Sequence, residues 1–130
     1  MKQLPVAVGM LLCEKIIIEK DTENVTAVNC FHERRVREVP SEPLSFLLYA
    51  ILTNGKGSIT LSVVVQRLQD LAEVVHLDEV YDFKDPLSEF RCTVQLRALV
   101  FPSPGAYQVE LLADGEFVAH RRFVIRQQGK

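Results

Sequence analysis

The dipeptide Asp114-Gly115 constrains this chain more than any other feature, because alternating strands lie on both sides of it. Tyr107, Val109 and Leu111 alternate with Gln108 and Glu110 before it, and the chain returns after it as Phe117 to Ile125. A period of two means a strand with one buried face. Asp-Gly supplies the two positive-φ positions of a type I′ turn, whose twist suits paired antiparallel strands. The chain therefore closes on a β-hairpin. Upstream, Pro102 and Pro104 cannot donate to a ladder and so end the preceding strand. Tyr107, just after Pro104-Gly105, reads as structural: its ring packs in the core while its hydroxyl ties down a sandwich corner.

The rest of the chain follows the same pattern. Met10 to Lys20 reads as a strand, residues 21–24 as a polar turn, and Val25 to His32 as a second, central strand. Residues 33–43 ("ERRVREVPSEP") read as a charged, exposed link. Leu44 to Thr53 is apolar throughout, which fits either a buried helix or a buried strand. The loop signal "NGKG" after it and the β-rich Ser58 to Leu68 favour a hairpin with Leu44–Thr53 as its first arm. Leu71 to Phe83 reads as a strand with an irregular middle, since its valines and aromatics outweigh a partial helical spacing. Glu89 to Phe101 alternates most clearly, with Phe90, Cys92, Val94, Leu96, Ala98 and Val100 on one face. About seven to nine such strands, with turn signals at intervals, predict an all-β fold: an antiparallel, immunoglobulin-like β-sandwich. Residues 1–130 are expected to form one domain, with a leader at 1–9 and a tail at 126–130.

Composition narrows the function classes. The net charge of −2 argues against a nucleic-acid binder, which needs a basic face to displace phosphate counterions. No stretch is long enough to span a membrane. The opening "MKQLPVAVGMLLC" superficially resembles a lipoprotein signal, but Pro5 interrupts its apolar run and Leu12 stands where a small residue is needed. It reads instead as a lead into the first strand. Cys13, Cys30 and Cys92 make an odd count, which suggests reduced thiols, small buried hydrophobes and a cytoplasmic location. A Cys30–Cys92 bridge between facing sheets is the alternative.

Motifs with catalytic chemistry are absent: there is no glycine-rich phosphate loop, Gly-x-Ser-x-Gly elbow or Cys-x-x-Cys. His32, His76 and His120 fall on different segments, without the close pair that announces a zinc site. Cys30 and His32, two apart on an expected strand, form the one local pair that could make a nucleophile or half a metal site. Asp78, Glu79, Asp82 and Asp85 are irregularly spaced for calcium and read as a solvated edge that blocks unwanted strand pairing. Arg34, Arg35 and Arg37 form a basic cluster suited to phosphates or carboxylates, diluted by Glu33 and Glu38. Arg121 and Arg122 face opposite ways, so only one can join a patch.

The opening "LLCEK" (Leu11 to Lys15) and the closing "FPSPGAYQVELLADGEFV" (Phe101 to Val118) resemble an uncharacterised family of small bacterial proteins with a β-sandwich fold. The resemblance runs through most of the chain and rests on structural motifs; it implies a fold and no site residues.

The expected function is a non-catalytic protein-binding or assembly module, cytoplasmic and cofactor-free, which binds a protein partner or itself. Val28, Leu99, Leu112 and Val118 are the apolar residues expected on outer faces. Arg34, Arg35, Arg37, Cys30 and His32 are the candidate contact residues. The alternative is a small-ligand, metal or carbohydrate site at the rim, built from the same side chains.

Overall fold

The computed structural model describes residues 2–128 and contains ten strands among them. Three sheets result. The larger runs in the order β4 (Glu33–Val36), β10 (Glu116–Gln127), β9 (Gly105–Ala113), β6 (Gly57–Arg67) and β7 (Glu73–Phe83). The smaller has β1 (Val6–Cys13), β5 (Leu44–Thr53) and β8 (Phe90–Leu99) in that order. A two-stranded hairpin joins β2 (Lys15–Ile18) to β3 (Val25–Val28). Every pairing is antiparallel except β4 with β10. The β-sandwich expected from the alternation is present.

The inward faces of the two larger sheets make the core. Leu12, Phe46, Leu48, Ala50, Leu52 and Leu96 of the small sheet meet Ile59, Leu61, Val63, Val65, Val109 and Leu111 of the large one, all buried. At one end the rings of Phe31, Phe46, Phe101, Tyr107 and Phe123 pack together, mostly edge to face, which suits the charge distribution of aromatic rings. The closing hairpin forms as read. Asp114 (φ 48°) and Gly115 (φ 82°) take the two positive-φ positions, and the Asp114 carboxylate accepts the Thr60 N–H at 2.9 Å.

Several local readings are corrected. Leu44–Thr53 is a strand, but it pairs with β1 and β8, and the NGKG loop crosses from one sheet to the other. β5 is apolar on both faces because both are covered: the β2–β3 hairpin lies over its outer side, leaving Tyr49 7% exposed and Cys13 fully buried. Arg91 Nη1 fastens that hairpin by donating to the Glu23 carbonyl at 2.7 Å. Met10–Lys20 breaks at Glu14 into two strands. Val25–His32 is not central; its strand stops at Val28, where Asn29 turns with φ 55°. The expected leader already pairs from Val6 onward, and Gln3 bridges Lys56. The expected tail continues β10 to Gln127, while Gly129 and Lys130 lie outside the described residues. In β8 an extra residue at Arg97–Ala98, with Ala98 at φ 54°, reverses the alternation. Leu99 therefore turns inward and is buried, while Ala98 and Val100 are exposed.

Candidate functional site

The two sheets have unequal width. β7 ends the five-stranded sheet and β8 ends the three-stranded one on the same side of the sandwich, and each leaves one edge unpaired among the described residues. Alternation along β7 sends Val75, Leu77, Glu79, Tyr81 and Phe83 toward the small sheet, in register with Val65, Val63, Leu61 and Ile59 of β6. Only one end of this face is closed. Phe90 packs on Phe83 with ring centroids 4.7 Å apart and on Tyr81 at 5.1 Å. Further along β7 the inward-facing Leu77 stays 38% exposed.

What remains is a groove of about 280 Å³ lined by the apolar Leu61, Val63, Leu77 and Val94, by Tyr81 and Cys92, and by the polar Asp78, Glu79, Thr93 and Gln95. Small-molecule sites usually enclose about 300–1,000 Å³, so the groove suits one or two side chains better than a whole cofactor. Burial first, and then the neighbouring Glu79 carboxylate, push the Tyr81 hydroxyl far above its usual pKa. Burial likewise pushes the Cys92 thiol up. Both groups are held neutral, so the groove offers hydrogen bonding and apolar contact rather than an activated nucleophile. Two carboxylates line it: Asp78, which meets His76, and Glu79, which forms no ion pair among the described residues.

A second polar cluster lies on the outer face of β6 and β7. His76 Nε2 meets Asp78 Oδ1 at 2.9 Å, and Ser62 Oγ donates to the same oxygen at 2.5 Å. The Ser62 hydroxyl, and then His76, hold the Asp78 carboxyl below the usual range. Serine and histidine thus share one acceptor, and the serine proton points at the aspartate rather than the imidazole. A nucleophilic triad needs the histidine bonded to the hydroxyl it activates, which this geometry does not provide. Among the described residues, no group of three or more His, Cys, Asp or Glu side chains is placed to hold a metal ion. No helix among them is long and apolar enough to cross a membrane.

The candidate contact residues Arg34, Arg35, Arg37, Cys30 and His32 fall elsewhere, in β4 and the links that flank it. Cys30 and His32 are exposed in the link between β3 and β4, not paired on a strand. Cys13 and Cys92 are free and buried, so the proposed Cys30–Cys92 bridge is absent. Arg34 and Arg35 are not in a link: β4 runs through Val36 and aligns Arg34 with Ile125 and Arg35 with Arg126. Arg34 turns inward, with its guanidinium 5.1 Å from the centre of the Phe31 ring. Arg35 and Arg126 both reach Glu33, at 3.3 and 3.1 Å, and together hold its carboxyl below the usual range. Arg37 is exposed beyond them. The groove was not anticipated. Its signal was present as Leu77, Glu79 and Tyr81 on one parity and Asp78 and Asp82 on the other, but the overhang depends on long-range pairing.

A family model described as "Family of unknown function (DUF6941)" matches residues 9–126, so the chain belongs to that family. Among curated proteins, none matches the chain.

Proposed function

Starting from membership of a family whose activity is undefined, we propose that this chain is a non-catalytic protein-binding module that receives an extended segment of a partner along the free edge of β8. The observation that carries this reading is the overhang of β7. A strand added to β8 would cover the inward-facing Leu77 and lengthen the narrower sheet from three strands to four. Edge strands present unpaired N–H and C=O groups that template such pairing. The two edges are unequally protected. β7 carries four acidic residues, Glu73, Asp78, Glu79 and Asp82, with Glu79 turned inward, whereas β8 carries two charges, Arg91 and Arg97, both outward, and its inward residues before the bulge are the uncharged Phe90, Cys92, Val94 and Leu96. Three reduced cysteines support a cytoplasmic setting, and the tyrosine corner at Tyr107 supports an immunoglobulin-like grouping.

The test is native mass spectrometry of the protein purified gently from its own host. Leu77→Arg fills the groove from an already exposed position. It is expected to remove a stoichiometric protein partner carried by the parent chain. An equal partner complement in both samples would sink the reading. The margin at β4 offers a second contact surface, favoured by the exposed Arg35 on an edge strand and the exposed Arg37 in the bend that follows it. Replacing both with Glu abolishes capture if the partner sits there, and unchanged capture removes them from the account.

A further inference from the structure

We infer that the segment received by β8 alternates a cationic side chain, lysine or arginine, facing the groove with acidic or polar side chains facing outward. This rests on the edge-binding reading above and specifies its ligand.

The argument follows from the two faces of β8. Side chains of an added strand would alternate in the same way as those of β8. Those turned inward would enter the groove beside Cys92 and Val94 and come opposite Leu77, Glu79 and Tyr81 of β7. Tyr81 is neutral there. Of the two carboxylates on the groove's lining, Asp78 is engaged by Ser62 and His76, and Glu79 is the one whose strand parity turns it inward. Glu79 stands directly across from buried Leu61. Covering such a carboxylate with an apolar strand would strip its water and leave it only the neutral Tyr81 hydroxyl as a partner, which is costly. A lysine or arginine instead lays its aliphatic stem along Leu61, Val63 and Val94 and brings its charged end to the carboxylate. Side chains turned outward would stand beside Arg91, Thr93, Gln95 and Arg97 of β8. Arg91 is already engaged by Glu89 at 4.0 Å and by the Glu23 carbonyl, which leaves Arg97, in no ion pair among the described residues, as the available cation of that face. Opposite charges across neighbouring strands attract and like charges repel, so that face selects acidic or neutral residues.

The probe is a synthetic peptide, acetyl-Thr-Val-Glu-Lys-Glu-Val-Thr-amide with a fluorescent label, measured by anisotropy at low salt. Two controls replace its lysine by acetyl-lysine or by glutamate. The lysine peptide is expected to bind about fivefold more tightly than the acetyl-lysine peptide, and the glutamate peptide most weakly. Glu79→Gln alters an exposed side chain and should erase the fivefold preference while leaving acetyl-lysine binding unchanged. Amide shifts on binding should concentrate in β7 and β8. Equal affinities, no binding by the lysine peptide, or a preference that survives Glu79→Gln would each overturn the charge rule. So would a second copy of the chain occupying β8, seen as a concentration-dependent dimer lost on Leu77→Arg. If partner capture depends on Leu77 while the peptides bind alike, the charge rule falls and edge binding stands. If capture ignores Leu77, edge binding itself falls.

Discussion

The Tyr107 hydroxyl donates to the carbonyl of Ser103, four residues upstream, at 2.7 Å. The same turn is held from a second side, because Arg67 Nη1 donates to the Ser103 hydroxyl at 3.1 Å and Arg67 also grips Asp70. Two strand ends of the large sheet, β6 and β9, are thereby fixed to one corner. Since the Tyr107 ring is fully buried against Phe101 and Phe123, removing only the oxygen tests the corner without opening the core. Tyr107→Phe should cost about 1 kcal/mol, the usual net worth of one hydrogen bond, read as a lowered denaturation midpoint at unchanged slope.

Asp70 makes the same corner sensitive to acid. The Arg67 guanidinium, followed by the Ala72 N–H, holds its carboxyl down to about 2, from an ordinary 3.8. A carboxyl lowered by folding adds stability above its unfolded pKa and loses it as the pH falls toward the folded one. The corner should therefore weaken on acidification between about pH 4 and 2. Carboxyl-carbon NMR should give Asp70 a midpoint near 2, and Arg67→Ala should return it most of the way to 3.8. A midpoint that stays low without Arg67 would refute the assignment of cause.

Much of this architecture was legible along the chain, and the failures have identifiable causes. The β9–β10 hairpin was readable because Asp114-Gly115 carries its geometry locally. β8 was readable until Arg97, where a bulge with Ala98 at positive φ reverses the faces without a glycine to announce it. β5 was readable as a strand but not in its partners. A run apolar on both faces has no parity to fix its sheet, and NGKG looks the same whether it joins neighbours or crosses between layers. The groove lay furthest from view. The acidic residues of β7 were read together as a solvated edge, which Asp78 and Asp82 are. Glu79 points the other way, and its surroundings depend on how far β8 falls short of β7.

The three thiols differ sharply in access. Cys30 is exposed, while Cys13 lies beneath the β2–β3 hairpin and Cys92 between the sheets. Burial first, and then nearby Cys30, push the Cys13 thiol up, and burial does the same for Cys92. Thiolates are the reactive form. A chromogenic disulfide reagent at neutral pH should therefore label one thiol promptly in the folded protein and all three in denaturant. Rapid labelling of Cys13 in the folded state would mean that the hairpin lifts off the small sheet.

Gly55 tests how the closed end of the groove is built. A Cβ placed there would fall 2.6 Å from the Phe83 ring, so the bend between β5 and β6 requires glycine for space. Phe83 in turn supports Phe90, and Phe90 supports Tyr81. Gly55→Ala must push the Phe83 ring toward Phe90, and overpacking of this kind typically costs about 1–3 kcal/mol. The displacement should spread along the three rings, so their aromatic proton shifts should change while those of the distant Tyr107 corner do not. Gly55→Ala with Phe83→Leu should recover part of the loss, because the smaller side chain vacates the space the methyl needs. If the double substitution is no more stable than the single, backbone conformation rather than crowding by Phe83 fixes glycine at this bend.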